Sequence, residues 1–106
     1  MTHVTLREYR DNYLVIAEGH SGYADRGFDV VCAGISCLVY ALINTLLDEE
    51  ASDRIRLVRK VIRDGYVYFE IKRFDFSRER IDGIIDLFTT GLLMLEETYP
   101  NSIRID

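Results

Sequence analysis

Apolar and polar residues alternate over Val4, Thr5, Leu6 and Arg7, the two-residue period of a strand with one buried face. Arg10-Asp11-Asn12 supplies turn residues, and residues 13–18 (YLVIAE) read as a second, more apolar strand. Residues 19–28 (GHSGYADRGF) hold three glycines in ten positions and only one large apolar residue, Tyr23, before Phe28. A mobile loop with few contacts is expected there. A long helix follows from about residue 29 to 49, with Asp29 suited to its N-cap. Residues 54–63 and 66–73 form a predicted hairpin about Asp64-Gly65, with Val67, Phe69 and Ile71 on its inner face. Ser77 fits the N-cap of a second helix, whose Ile81, Ile84, Ile85, Phe88, Leu92 and Leu95 recur at helical spacing. Tyr99-Pro100 stops that helix, and Ile103 and Ile105 alternate in a short last strand. The order β-β-α-β-β-α-β, without internal repeat or linker, predicts one α+β domain over residues 1–106. It has two layers, a mixed or antiparallel sheet with two helices packed on it.

Residues 30–47 run for eighteen positions without a charge, the threshold length of a membrane-spanning helix. The flanks are acidic, Asp29 on one side and Asp48, Glu49 and Glu50 on the other, and the chain has no Trp. No basic cluster sets an orientation. The remaining elements are one-faced and need an apolar partner, so this helix is expected at the centre of a soluble domain. It is apolar on more sides than one small sheet covers, which points to a homodimer, with Tyr40 and Leu47 as candidate contacts.

Leu, Ile, Val and Phe make up 35 of the 106 residues, too many for a disordered chain. The net charge is −5, which disfavours a protein whose main task is gripping phosphate backbones, so no direct nucleic-acid binding is expected. Five of the thirteen cations nevertheless fall in residues 54–63, among Ile55, Leu57, Val58, Val61 and Ile62. They read as the solvent side of a strand, or as a docking patch for an acidic or RNA partner. Two cysteines make no disulfide framework, and Cys32 and Cys37 stand too far apart along a helix to bridge. No metal-ligand spacing occurs, and no cofactor is implied. With no apolar leader at the start of the chain, a reducing cytoplasm is the expected compartment.

The chemistry concentrates where the glycine-rich loop meets the apolar helix. With Asp29 as N-cap, Cys32 is the third helical residue, in the turn whose amides lack intrahelical partners and carry partial positive charge. Thiolate, the nucleophilic form, is favoured at such a place. Amides near Val31 and Cys32 are also candidates to hold a developing oxyanion. His20 ends the second strand, and the loop is long enough to return it to Cys32 as a general base. The plainer reading is a small buried thiol and an ordinary histidine at a strand end. Cys37, about 140° further round the helix, reads as purely structural.

Gly19-His20, then Gly22 and Gly27, then Asp29-Val30-Val31-Cys32-Ala33 and Ser36 together resemble the signature of the bacterial ribosomal-processing cysteine proteases. Phe28 and Gly34 stand where a polar residue and Ala are commoner in that family. The resemblance spans the chain, through Tyr99-Pro100 and the alternating residues 103–105. It implies a homodimeric α+β endopeptidase with Cys32 as nucleophile and His20 as base. Gly19, Gly22, Gly27, Asp29 and Ser36 would support these two or line the substrate loop. Its implied substrate is a precursor of the large-subunit ribosomal protein numbered twenty-seven, shortened at an N-terminal extension that ends in an apolar motif. The alternatives are a non-enzymatic ribosome-associated binding module and a thiol enzyme acting on a small molecule.

Overall fold

The structure, a computed structural model, describes residues 1–25 and 27–106. Arg26, inside the expected loop, lies outside the described residues. The elements follow the expected order: β1 (Thr2–Tyr9), β2 (Asn12–Glu18), α1 (Val30–Ala51), β3 (Ile55–Arg63), β4 (Tyr66–Arg73), α2 (Arg78–Thr98) and β5 (Ile103–Ile105). The strands form one mixed sheet in the order β3-β4-β2-β1-β5, antiparallel except for β1 and β5. This is a two-layer α+β fold.

Register explains the single core. Val4 pairs with Ala17, Val15 with Phe69 and Tyr13 with Ile71, so their side chains share one face of the sheet. The helices cover that face. Val31, Ile35, Val39, Leu42, Ile43 and Leu46 of α1 are buried there, with Ile81, Ile85, Phe88 and Leu92 of α2. Burial of each such side chain contributes ~1.5–3 kcal/mol before ordering entropy is set against it. By length and composition α1 would cross a membrane, but its buried stripe instead packs on this sheet and on α2.

Both helix boundaries at α1 have local causes. Asp29 caps the start with a side-chain oxygen that accepts from Val31 and Cys32. At the end, Asp53 takes a left-handed φ of 56° while its N–H and that of Arg54 donate back to the carbonyls of Glu50 and Glu49. This is a Schellman stop with Asp where Gly is usual. Just inside it, Glu49 is buried and receives Arg54 and Arg80, tying α1 to the start of β3 and to α2.

Two local expectations need correction. Ser77 does precede α2, after a short 3₁₀ turn, yet its hydroxyl donates to the carbonyls of Arg54 and Phe74 and caps no amide. On β3 the cations do not all share the solvent side. A bulge at Val58 shifts the register, so Arg59 and Arg63 face away from the helices while Lys60 and Ile62 turn to the helix side. Arg54 leaves the series altogether and binds Glu49.

Candidate active site

The first turn of α1, the end of β2 and the β3–β4 turn enclose a groove of about 760 Å³. Its walls are Ala17 and Val67 from the sheet, Ile62 from β3, and Ile35, Val39 and Tyr40 from α1. The bulge is what gives this groove Ile62, because without it the side chain would point to the other face. Cys32 and His20 line the same groove, as do Gly19, Gly22, Gly27, Asp29 and Ser36. Every site residue singled out in the sequence is therefore brought together, across a loop that joins the end of β2 to the start of α1.

Backbone geometry brings His20 over the β3–β4 turn. Gly19, at φ 88°, donates its N–H to the carbonyl of Gly65 at 2.9 Å. A Cβ on Gly19 would stand 2.7 Å from the carbonyl oxygen of Met1, so only glycine fits. Gly65 takes the left-handed position of its turn, and its bare Cα leaves room for the imidazole. A Cβ there would lie 3.2 Å from Nε2 of His20.

The sulfur has a different neighbour from the one expected. The hydrogen bond at Cys32 Sγ comes from the backbone N–H of Ser21, at 3.3 Å, and no bond from His20 closes in this state. The exposed imidazole and the thiol both line this one groove. Ser21 carried no signal in the sequence, because a backbone amide donates whatever the side chain is.

Asp29 does far more than cap. Oδ1 accepts from Val31 N–H at 3.0 Å and Cys32 N–H at 2.9 Å, while Oδ2 accepts from the hydroxyl of Ser21, from Tyr23 N–H at 3.0 Å and from Ala24 N–H at 3.3 Å. Burial opposes its charge, but these donors outweigh burial and bring the carboxyl down to about 2. This geometry overturns two expectations. The amides of Val31 and Cys32 are not free to hold an oxyanion, since Asp29 occupies both. The loop is not short of contacts either, because Asp29 gathers three of its groups and Tyr23 packs edge-on against Tyr99 at 5.1 Å.

Ser36 stands one turn beyond Cys32 on α1, exposed, on the groove wall. Cys37, read as purely structural, is instead exposed on α1, and it lies outside this groove. Tyr40, expected as a dimer contact, is partly exposed and forms part of the groove wall, whereas Leu47 packs against the core. Among the described residues, no cluster of His, Cys, Asp or Glu is arranged to hold a metal ion.

Known proteins resemble the whole chain. A Bacillus subtilis protein, "Ribosomal processing cysteine protease Prp", is 25% identical over 109 residues, covering 99% of this chain and 96% of the relative. A Staphylococcus aureus protein of the same name is 27% identical over 92 residues, covering 87% and 83%. Among solved structures, the S. aureus protease Prp with a covalently linked product peptide superposes with a TM-score of 0.78 at 24% identity, covering 100% of this chain and 98% of that one. The protein SMU.848 of Streptococcus mutans superposes with a TM-score of 0.71 at 28% identity, covering 100% and 92%. The family model described as "Cysteine protease Prp" matches residues 1–104, so the chain belongs to the ribosomal-processing cysteine protease family and is a cysteine protease.

Proposed function

We propose that this protease removes a short N-terminal extension from the precursor of the large-subunit ribosomal protein numbered twenty-seven, with Cys32 as nucleophile and His20 as general base. The observation that carries this reading is the position of the Cys32 sulfur. Cys32 lines the groove together with His20, its sulfur held by Ser21 N–H at 3.3 Å. An extended peptide laid in the groove meets Ala17, Ile62, Val67 and Tyr40, an apolar surface suited to an apolar motif before the cleaved bond. The S. aureus relative solved with a covalently linked product peptide supports a covalent intermediate.

In this mechanism His20 takes the proton of the Cys32 thiol and the sulfur attacks the scissile carbonyl carbon, giving a tetrahedral intermediate. Collapse breaks the C–N bond, and His20 returns the proton to the departing amine. Water, deprotonated by His20, then cleaves the thioester and frees both the extension and the enzyme. Ser21 N–H steadies the sulfur, Asp29 holds Ser21 in place, and Ser36 contacts the peptide further along the groove. The loop of Gly22 and Gly27 closes over the bound chain and excludes water. The enzyme acts in the cytoplasm as a homodimer. Exposed Leu87 and Met94, two turns apart on one side of α2, offer an apolar surface for that contact.

Incubation of the purified protein with the extension-bearing precursor, followed by mass spectrometry of both products, tests this. Cleavage at one bond after an apolar motif, lost in Cys32→Ala, is expected. An intact precursor beside a folded enzyme that cleaves another peptide in a Cys32-dependent way would overturn the substrate assignment.

A further inference from the structure

The face of the sheet that the helices leave open has a charge opposite to that of the chain. Pairing register puts Arg7, Arg56, Arg59, Arg63, Lys72 and Arg104 on it, against Glu18 and Glu70 alone among the strand carboxylates. Six of thirteen cations thus share a surface with two strand carboxylates and with Asp106 at the end of β5. Glu70 is already engaged, accepting from Asn12 Nδ2 at 2.7 Å and from the Tyr68 hydroxyl at 2.8 Å. Arg7 and Arg104 lie beside Asp106, which leaves Arg56, Arg59, Arg63 and Lys72 as exposed cations with no ion pair among the described residues. Two tyrosines rise between them. The Arg59 guanidinium lies 5.1 Å from the Tyr68 ring and that of Arg63 lies 4.8 Å from the Tyr66 ring. Half-buried Leu14, Ile16 and Val61 complete the floor.

We propose that this open face binds single-stranded RNA. Cations spaced along an edge hairpin match the repeat of phosphates, and tyrosine rings beside arginines offer stacking surfaces to unpaired bases. An open sheet admits splayed bases, which a duplex does not present. His3 and Thr5 on β1, on the same face, supply hydrogen-bonding groups for ribose 2′-hydroxyls. An acidic peptide would satisfy the cations but would leave the two Arg–Tyr pairs without a planar partner. The face turns away from the groove except at Arg63 and Tyr66, which border both, so RNA held by Arg56, Arg59, Lys72 and Tyr68 would leave the cleavage site open. The net charge of −5 conceals this surface, because the carboxylates gather on the helices and loops.

Fluorescence anisotropy with a labelled 12-nucleotide single-stranded RNA tests the inference on the full chain. Four phosphate contacts give a slope of log K against log salt of about −3. Arg56→Gln with Arg59→Gln should weaken binding about twenty-fold at 0.1 M salt and halve that slope. Tyr68→Leu should weaken it about tenfold with the slope unchanged. Neither variant touches the groove, so cleavage of a short peptide stays at the wild-type rate. The inference is overturned by absence of binding at 50 mM salt or by variants that bind as wild type does. It is equally overturned by equal affinity for the same sequence as DNA, as a duplex, or for polyglutamate.

Discussion

Asp29→Asn separates two tasks performed by one carboxylate. Asn is as good an N-cap as Asp, so an oxygen in place of Oδ1 still accepts from Val31 and Cys32. An amide nitrogen in place of Oδ2 then meets the N–H groups of Tyr23 and Ala24, donor against donor. Both residues are exposed, so water takes over their amides and the net loss is about 1–2 kcal/mol. Asp29→Ala loses the cap as well, a further ~1 kcal/mol. For a domain of this size these correspond to melting points lower by about 5–10 °C for the Asn variant and about 5 °C more for the Ala variant. Acid should erase the difference. The native carboxyl titrates at about 2, below its unfolded value near 4. The advantage of the native residue is therefore complete above pH 4 and is lost as pH falls toward 2. The Asn variant, with nothing to titrate there, should converge with wild type over that interval. Activity should fall at least tenfold in the Asn variant, because Ser21 loses the partner that aligns its N–H with Cys32 Sγ. Thermal melts by circular dichroism between pH 7 and 2.5, with peptide cleavage at pH 7, measure all of this. An Asn variant that melts with wild type at pH 7, or as low as the Ala variant, would refute the division of labour between the two oxygens.

Other outcomes follow from the same geometry. Iodoacetamide should label Cys32 faster than Cys37 although Cys37 is the more exposed, because only Cys32 has a backbone donor at its sulfur and a histidine across its groove; tandem mass spectrometry gives both rates. His20→Ala should lower kcat/KM by about 10²–10⁴-fold with an unchanged melting point, as a positioned acid–base group on an exposed turn should. Glu49→Gln should destabilise the fold by about 2 kcal/mol, since a buried carboxylate bonded to Arg54 and Arg80 becomes a neutral amide. Burial opposes the charge of Glu49, yet the two arginines outweigh it and hold its pKa below the usual value. The gap between wild type and Gln should accordingly be complete above the ordinary carboxyl range and close as pH falls through the lowered native pKa; urea melts across pH measure it.

The order of elements was legible because each segment has one apolar period, as in the stripe from Ile81 to Leu92 and the inner face of Val67, Phe69 and Ile71. Asp29 was legible as a cap for a similar reason, being a strong acceptor just before an apolar run. Its second role was not, since Oδ2 is satisfied by backbone groups of residues whose identity is immaterial. The same holds for Ser21 N–H. The bulge at Val58 was hidden because charged and apolar residues in β3 fit either register, and its consequence, Ile62 in the groove wall, was hidden with it. Glu49 looked like one of three acids at a helix end; only packing distinguishes the buried one. Charge summed along a chain likewise says nothing about which face of a sheet receives it.

If Cys32 attacks a peptide carbonyl held in this groove, the covalent state can be trapped. A peptide carrying the apolar end of the extension and terminating in an aldehyde should add to the enzyme as a thiohemiacetal, fixed by reduction and located by peptide mapping. One adduct per chain is expected, at Cys32, absent in Cys32→Ala and slowed in His20→Ala. An adduct at Cys37, or no adduct in an enzyme that still cleaves the precursor, would contradict it.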